Sequence, residues 1–463
     1  MQSQQRITIV DPATGSRVGE VEVAGPAAVD EAVQLARKAT SAWARTAPAE
    51  RGAHLSRVAD ALAQHAEDLA LMTTREMGKP LDDARGGVQA GISTLRQYAE
   101  LGPLHRGRSL QGDWSATDLM VFEPRGVVAA ITPWNDPVAV PCGILGAALV
   151  TGNSVVLKPS ERTPHTGVEL ARQISAELPP GVLEVVVGDG ETGASLAGSP
   201  DVAVVVHVGS TAAGRSIAAA AAVTGAKVLL ENGGNDPMVV DAGVDADWAA
   251  EQAALGAFAN AGQICTSVER VYVVEEAAGP FLEALTRRAK AMVTGPGTDP
   301  ATQLGPLVDA RMRHTVHAHV SDAVGQGAQL LAGGEVPDGA GTFYPATVLT
   351  GCTASMTVMQ QETFGPVAPV AVVPDFDAAL VEAASGPYGL AAVVLTASMP
   401  HAQQAWRQLP VGTVKVNAAF GGAPGGAAHP RGASGTGFGY GPELLDELTV
   451  TKVVHLGMPR PAG

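Results

Sequence analysis

Cys265 is the residue of this sequence whose type and setting most directly favour covalent chemistry. It lies in the turn 262–266 (GQICT), between a predicted helix and a predicted strand. A cysteine thiolate is a strong nucleophile, although a single cysteine is more often a small buried apolar residue. That second interpretation is the one we give to Cys142 and Cys352, whose neighbours indicate no reactive role.

Two further polar residues stand where a chain turn would fix their direction. Glu231 ends an apolar run and precedes the segment 232–234 (NGG), so it is either a general base or a solvated strand end. Asn135 lies between Pro133 and Pro137, which restrict the backbone on both sides. Its amide could donate to an oxyanion, or it could be an ordinary turn residue.

Two segments have the residue types that bind the sugar and phosphates of a nucleotide. Lys158 and Glu161, within 158–161 (KPSE), could bind ribose hydroxyls or be surface charges. The segment 209–214 (GSTAAG) opens a predicted helix, whose first N–H groups would suit a phosphate. These two segments are unspecific by themselves, because the sequence has neither the GxGxxG fingerprint nor a P-loop lysine.

Other chemistries have less support. His314, His317 and His319 do not have the i, i+4 spacing of a helical metal site, so we predict a solvated helix face and no metal. The segment around Ser434 lacks the GxSxG elbow of a serine hydrolase.

Alternating strands and helices must position these residues. Residues 26–43 predict an amphipathic helix with Val29, Ala32, Val33 and Ala36 on one face, and 50–75 and 82–101 continue the helical pattern. Short apolar runs then alternate with helical stretches, which predicts an α/β fold with a parallel, doubly wound sheet. The strands are 127–132, 154–157, 183–187, 202–208 and 227–231, and the helices are 140–150, 164–177, 190–198 and 211–223.

Ligands of such sheets bind beyond the carboxyl ends of the strands. The residues predicted at those ends are Asn135, Lys158, Gly188, Gly209 and Glu231. The chemistry is therefore expected at this edge of the sheet.

A second alternating stretch begins near residue 247, with a helix to 259 and a strand at 269–275, and continues through 417. Residues 421–441 are rich in Gly and Pro and predict an irregular loop, whereas 103–124 predicts a hairpin. The last predicted strand, 449–456, could pair with the sheet edge of another chain.

Length and composition limit the class of protein. The 463 residues, 46% of them hydrophobic and 16% charged, correspond to about three domain-sized units of an ordinary globular protein. The net charge of −16 argues against nucleic-acid binding and docking on anionic membranes. The polar N-terminus, the lack of a long apolar run and the three widely spaced cysteines predict a reduced, cytoplasmic protein.

Taken in order, these segments resemble the aldehyde dehydrogenase superfamily over nearly the whole chain. Cys265 follows Glu231 by 34 residues, which is the usual separation in that family. The segments that carry the resemblance are 11–15 (DPATG), 133–135 (PWN), 158–161 (KPSE), 208–210 (VGS), 231–234 (ENGG), 262–265 (GQIC), 361–366 (QETFGP) and 416–417 (VN).

The resemblance implies a role for each of these residues. The Cys265 thiolate would attack an aldehyde, Asn135 and the Cys265 N–H would hold the oxyanion, and Glu231 would activate the water that hydrolyses the thioester. The resemblance also implies cofactor contacts: Lys158 and Glu161 at the adenosine ribose, Ser210 at the pyrophosphate, Glu362 at the nicotinamide ribose, Phe364 at the nicotinamide, and further contacts from Pro133, Trp134, Ser160, Gly188, Gly209 and Gly233.

The family also implies an organisation and a cofactor. We expect an NAD-binding unit (1–105 and 125–231), a catalytic unit (232–425) and an oligomerisation element (106–124 and 440–459) of a homodimer or homotetramer. Glu161 favours NAD over NADP, because a carboxylate binds a free 2′-hydroxyl and repels a 2′-phosphate. Glu231 favours hydrolysis to the acid; the alternatives are a CoA-acylating enzyme and a catalytically impaired cofactor-binding relative.

Several positions depart from the family pattern. Ile144 and Gly439 stand where many relatives have a Lys and a Glu that are thought to relay the proton, and 427–430 (AAHP) replaces the usual PFGG loop. Asp136 and Gly143 stand near the positions of bulky substrate-lining aromatics in relatives. These two residues predict a roomier, more polar substrate entrance.

Overall fold

The computed structural model describes residues 5–422 and 426–459, so residues 1–4 and 423–425 of the expected units lie outside it. Pro26 begins the first helix, where the N–H that proline lacks would have had no helical partner, and the predicted apolar face of this helix is buried. The N-terminal elements are β1 (Arg6–Val10), β2 (Arg17–Glu22), α1 (Pro26–Arg45), α2 (Pro48–Gln64), α3 (Ala66–Met77), α4 (Leu81–Leu101), β3 (Arg108–Leu110) and β4 (Thr117–Pro124).

The predicted alternation between residues 127 and 231 is confirmed, and its five strands are parallel in the order β9-β8-β5-β6-β7. Strand β7 ends two residues before the predicted position. The elements are β5 (Val127–Ile131), α5 (Ala139–Val150), β6 (Ser154–Lys158), α6 (Pro164–Ala176), β7 (Leu183–Val185), α7 (Gly190–Ala197), β8 (Val202–Val208), α8 (Thr211–Thr224) and β9 (Lys227–Glu231).

This sheet is covered on both faces, which is why its strands are continuous apolar runs. Consecutive residues of β5, such as Val128 and Ala129, point to opposite faces of the sheet and belong to two different cores. One core includes side chains of α2–α6 and the other includes side chains of α1, α7 and α8. The doubly wound α/β class is thus confirmed.

The second alternating stretch forms a seven-stranded sheet in the order β12-β13-β14-β11-β10-β16-β17, parallel except for β12. The predicted helix ending near 259 and the strand near 269–275 are present within one residue. The elements are β10 (Asp236–Val240), α9 (Ala246–Phe258), β11 (Val268–Val274), α10 (Glu275–Ala291), α11 (Ala310–Gly325), β12 (Gln329–Ala332), β13 (Thr347–Thr350), α12 (Thr357–Gln360), β14 (Val367–Val373), α13 (Phe376–Ala383), β15 (Tyr388–Gly389), β16 (Ala391–Leu395), α14 (Met399–Gln408) and β17 (Thr413–Val416).

The segment predicted as an irregular loop, 421–441, contains two short strands, so that prediction was wrong in part. Strand β18 (Arg431–Gly432) pairs with β15, and β19 (Gly435–Thr436) adds an antiparallel edge to β9. Gly435 lies opposite Glu231 in this pairing. The C-terminal segment therefore covers the strand end that carries the candidate base.

The C-terminal residues complete a three-stranded sheet in the order β20-β4-β3, which confirms the predicted hairpin. After α15 (Glu443–Glu447), β20 (Thr449–Leu456) pairs antiparallel with β4 of its own chain along its whole length. The other edge of β20 has no partner strand among residues 5–422 and 426–459. In the same described ranges, no helix combines the length and apolar character needed to cross a bilayer.

Candidate active site

A single cavity of about 570 Å³ lies beyond the carboxyl ends of β5, β6, β8 and β9, where ligands of doubly wound sheets bind. Its volume is within the usual range of ligand pockets. It brings together residues separated by more than 200 positions in the chain. Among its lining residues are all three candidate catalytic residues and most of the expected cofactor contacts: Pro133, Trp134, Asn135, Lys158, Ser160, Glu161, Gly209, Ser210, Glu231, Gly233, Cys265, Glu362 and Phe364.

Gly188 is the expected cofactor contact that does not line the cavity; its neighbours Asp189 and Gly190 do. A Cβ at Gly188 would lie 2.0 Å from the Thr192 hydroxyl oxygen. The glycine therefore allows the β7–α7 connection to pack closely against Thr192 of α7, and its role as a cofactor contact stays a prediction.

The turn between β8 and α8 presents a helix N-terminus to the cavity. Ser210 is the N-cap residue, and its hydroxyl accepts a hydrogen bond of 3.3 Å from the Ala213 N–H. The remaining first N–H groups of α8 and the positive end of its dipole suit an anionic group. Beyond this turn the wall is formed by small and apolar side chains of α8, including Ala213, Ile217 and Ala220.

Lys158, at the end of β6, is a buried cation beside the cavity. Its ammonium donates to the Pro159 carbonyl at 3.1 Å and lies 3.9 Å from a Glu161 carboxylate oxygen. Burial lowers the pKa of Lys158, and the Glu161 charge opposes that shift. A lysine donor and a carboxylate acceptor side by side match the hydroxyl groups of a ribose.

His207 is a cavity residue that sequence reasoning missed. It lies opposite Ile131 in the parallel pairing of β5 and β8, and Lys158 lies opposite Ile131 on the other side. Residues paired in this way share a face of the sheet, so Lys158, Ile131 and His207 form one row beneath the cavity. The signal available in the sequence was a histidine inside the apolar run 202–208.

Aromatic rings form another part of the cavity wall. The ring centroids of Trp134 and Phe364 are 5.5 Å apart in an edge-to-face arrangement, and the Arg162 guanidinium lies 5.1 Å from the Trp134 ring centroid. Phe364 has a φ of +52°, which is uncommon for a residue with a side chain. Arg162 is anchored by an ion pair of 2.8 Å with Asp309.

Cys265 follows a sharply turned segment in which Asn260, Ala261 and Gly262 all have positive φ. A Cβ at Gly262 would lie 2.1 Å from the Gly365 carbonyl oxygen, so a larger residue would push this turn away. The Asn135 side-chain amide donates to the Gln263 carbonyl at 3.0 Å. The candidate oxyanion donor is thereby attached to the turn that carries the candidate nucleophile.

Glu231 is held at the end of β9 by a backbone donor. The Gly439 N–H donates to its carboxylate at 3.0 Å, and a Cβ at Gly439 would lie 2.3 Å from the Glu231 side chain. Burial raises the pKa of Glu231 to about 8, and the Gly439 hydrogen bond opposes that shift. Gly439 thus makes room for the base and donates to it, a contact that the sequence interpretation, concerned with an absent glutamate, did not foresee.

Buried carboxylates surround the nucleophile. Burial and the charges of Glu231, Asp236 and Glu362 raise the pKa of the Cys265 thiol to about 12. Glu362 accepts a hydrogen bond of 3.0 Å from the Gly234 N–H, and burial with the neighbouring Glu269 raises its pKa to about 8. A thiol with this pKa is neutral near neutral pH, so a reaction as the thiolate would require the loss of its proton.

Glu269 is a second functional residue that the sequence did not reveal. Its fully buried carboxylate accepts hydrogen bonds from the N–H groups of Thr363 and Phe364 at 2.8 and 2.7 Å, and from the Asn235 amide at 3.2 Å. These bonds fix the segment that carries Glu362 and the positive φ of Phe364. Glu269 therefore positions two of the expected cofactor contacts without lining the cavity itself.

The other predictions had mixed outcomes. His314 is exposed, but His317 lies 3.2 Å from the Tyr344 hydroxyl and His319 lies 3.1 Å from the Thr363 hydroxyl, so the prediction of a solvated face was wrong for these two half-buried residues. No group of three or more His, Cys, Asp or Glu side chains arranged for a metal occurs in the described part of the chain.

Two further positions that depart from the family pattern, Ile144 and Asp136, have structural surroundings of their own. Ile144 is buried in the core. The carboxylate of Asp136 accepts from the Ala139 N–H at 3.2 Å and pairs with Lys79 at 3.3 Å. These contacts partly neutralise the Asp136 charge, so its expected contribution to a polar substrate entrance is smaller.

Known proteins are similar to this chain in fold and in sequence. Residues 1–454 match the aldehyde dehydrogenase family. Betaine aldehyde dehydrogenase of Cereibacter sphaeroides is 36% identical over 98% of this chain and 94% of its own length. The structure of an NAD-dependent aldehyde dehydrogenase from Sinorhizobium meliloti has a TM-score of 0.96 and 34% identity, covering 99% of this chain and 93% of that one. An NADP dependent enzyme of E. coli has a TM-score of 0.95 and 32% identity, covering 98% of this chain and 95% of that one.

Proposed function

The chain belongs to the aldehyde dehydrogenase family, whose reaction is the oxidation of an aldehyde, and from that premise we propose how its own residues perform this reaction. The proposed product is the free carboxylic acid, formed through an acyl group bound to Cys265. The observation that supports this proposal most strongly is that Cys265, Asn135 and Glu231 line one cavity together with the cofactor contacts.

In the first step the Cys265 sulfur attacks the aldehyde carbon and the carbonyl oxygen gains negative charge. The Asn135 amide and the Cys265 N–H are the proposed donors to that oxygen. One Asn135 N–H is used by the Gln263 carbonyl, which leaves the second N–H of the same group for the substrate. The thiol proton passes to Glu231, whose pKa of about 8 suits a general base near neutral pH.

Glu231 releases the thiol proton to solvent before the last step, in which its carboxylate removes a proton from a water molecule that attacks the acyl carbon. The carbon–sulfur bond breaks, the Cys265 sulfur leaves with the electron pair, and the product departs as a carboxylate. The Gly439 N–H supports this role because it holds one oxygen of the Glu231 carboxylate in a fixed position.

The cavity fits a nicotinamide dinucleotide by its donor set. Lys158 and Glu161 would bind the adenosine ribose, Ser210 and the α8 N-terminus the pyrophosphate, and Glu362 the nicotinamide ribose. When bound, this cofactor supplies the hydride acceptor. We propose NAD as the preferred form because of the Glu161 carboxylate, with NADP as the alternative. Of the two similar structures described above, one is of an NAD-dependent enzyme and the other of an NADP dependent enzyme.

The remaining proposals concern assembly and location. We propose that the three-stranded sheet joins subunits of a homodimer or homotetramer, because one edge of β20 has no partner strand within the described ranges and the strand exposes the apolar side chains Val453 and Leu456. We also propose the unit boundaries given above. In this arrangement the sheet of β5–β9 and β19 binds the cofactor, and the unit of the seven-stranded sheet carries the nucleophile. The three free cysteines are consistent with the cytoplasmic location expected from the sequence.

The test measures nicotinamide reduction with a panel of aldehydes, with and without CoA. We expect turnover without CoA that falls by at least about 10⁴-fold in Cys265→Ala and persists in the matched control Cys352→Ala, whose thiol is buried outside the cavity. Turnover that requires CoA would favour the acylating alternative. A wild-type protein that binds the cofactor but oxidises none of the aldehydes would favour the impaired relative.

A further inference from the structure

His207 is a buried polar side chain that the mechanism above does not use. It is 4% exposed, yet it lines the cavity between the ends of β8 and α8. Neither of its ring nitrogens meets the distance and angle of a hydrogen bond with residues 5–422 and 426–459, although the Ser210 backbone lies close enough to affect the pKa of the ring. Buried polar groups in folded proteins are nearly always paired, so an imidazole with two unpaired nitrogens facing a cavity indicates a missing partner.

The position of the ring limits where that partner lies. A Cβ at Gly209 would lie 2.7 Å from the His207 Cε1, so the ring packs directly under the Gly209–Ser210 turn. It shares the sheet face with Lys158, with Ile131 between them. His207 is therefore between the proposed ribose contact and the proposed pyrophosphate contact.

The protonation state decides what the ring can offer. Burial lowers the pKa of His207 to about 4; the nearby Ser210 backbone opposes this shift, and the Lys158 charge adds a smaller lowering. The ring is neutral at neutral pH and has one N–H donor and one acceptor nitrogen. A neutral donor suits the phosphate and sugar oxygens that the turn and Lys158 are expected to bind.

We propose that His207 is a further cofactor-binding residue, whose ring N–H donates a hydrogen bond to an oxygen of the ADP half of the dinucleotide. This inference rests on the proposed function, because it requires that the cavity bind a nicotinamide dinucleotide. It predicts that the free protein carries a small destabilisation at His207, which cofactor binding removes.

The experiment compares His207→Phe, which keeps a planar ring and removes both nitrogens, with His207→Gln, which keeps a donor. Dissociation constants are measured for NADH by fluorescence and for ADP by calorimetry, and thermal unfolding is followed without ligand. His317→Phe is the matched control, because His317 does not line the cavity.

We expect His207→Phe to raise the Kd roughly tenfold for both NADH and ADP, since one hydrogen bond of a buried group is lost. Its unfolding temperature without ligand should be unchanged or higher, because an unpaired buried polar group has been replaced by an apolar one. His207→Gln should recover part of the affinity, and His317→Phe should bind both ligands like the wild type.

Three results would overturn this inference and leave the proposed function intact. The first is a Kd within twofold of wild type in His207→Phe, as expected if a water molecule pairs the ring. The second is a higher Kd accompanied by a lower unfolding temperature, as expected of a structural role. A loss confined to NADH would place the contact outside the ADP half and also overturn it. Failure of the wild type to bind NADH, NADPH and ADP would instead overturn the proposed function.

Discussion

The two ends of the cavity are built in different ways. At the cofactor end the contacts are local, such as the Ser210 hydroxyl with the Ala213 N–H, three residues apart. At the reaction end they join distant segments: Asn135 with the Gln263 carbonyl, 128 residues away, and Glu231 with the Gly439 N–H, 208 residues away. The cofactor end is therefore a property of βα units of one sheet, whereas the reaction end exists only when both sheets and the C-terminal segment are assembled.

The two ends also differ in charge. At the cofactor end burial acts on cations and lowers the pKa values of Lys158 and Arg162. At the reaction end it acts on acids and raises the pKa values of Glu231 and Glu362. An anionic phosphate is therefore favoured at the cofactor end, and carboxyl groups that can exchange a proton near neutral pH lie at the reaction end. Substitutions at the reaction end should accordingly change kcat, and those at the cofactor end should change the dissociation constant of the cofactor.

The largest effect is expected at the reaction end, for Glu231→Gln. We expect kcat to fall by about 10²–10⁴-fold, because the glutamine cannot accept a proton. Mass spectrometry should show an acyl group on the peptide containing Cys265, because hydrolysis is slowed. In the wild type only the ionised base is active, so with a pKa of about 8 the rate should rise as the pH increases through 8.

The pH profile and the adduct together separate a base from a structural residue. In Glu231→Gln the rise through pH 8 should disappear. Unchanged kcat, or a loss of kcat with no acyl adduct and the wild-type pH profile, would contradict the assignment. Glu276→Gln, on the exposed face of α10, is the control for the loss of one negative charge.

Glu269→Gln should have a smaller effect and tests whether the two ends are coupled. This buried carboxylate accepts hydrogen bonds from the N–H groups of Thr363 and Phe364, and both of these residues line the cavity. A glutamine would turn an N–H₂ group towards one of these N–H donors and lose that bond. We expect a free energy of unfolding lower by about 1–3 kcal/mol and a Kd for NADH about tenfold higher.

Urea unfolding and NADH titration measure these two quantities. With Glu276→Gln as the control, an unchanged Kd despite lower stability would show that the segment 362–364 is positioned without the Glu269 carboxylate. The two ends of the cavity would then be independent.

The same difference explains what the sequence could predict. Strands β8 and β9 were predicted at their observed bounds, because parallel strands buried on both faces are continuous apolar runs. The cofactor turn followed from the strand and helix around it. The catalytic roles came only with the family resemblance, since the pattern around Cys265 is equally that of a buried cysteine.

What the sequence could not predict depends on distant contacts. From the sequence, Gly439 was described only as the position at which many relatives have a glutamate. In the structure its N–H donates to Glu231, and the absence of a Cβ makes room for that side chain. Strands β18 and β19 were missed because two residues have no detectable periodicity. His207 was missed because one polar residue in an apolar run does not show which side of the sheet opens on a cavity.

The smallest effect is expected at the cofactor end, for Glu161→Gln, and it tests whether the local charge there sets the choice of dinucleotide. The Glu161 side chain is 41% exposed, so solvent screens its charge. We expect the Kd for NADPH to fall by about threefold to tenfold at low salt, because repulsion of the 2′-phosphate is removed, while the Kd for NADH changes by less than about threefold. Titration of both reduced cofactors at low and high salt measures this preference. The gain for NADPH should shrink at high salt, where screening already weakens the repulsion in the wild type. A gain that is independent of salt, or equal for both cofactors, would show that Glu161 acts through the position of Lys158 and not through its own charge.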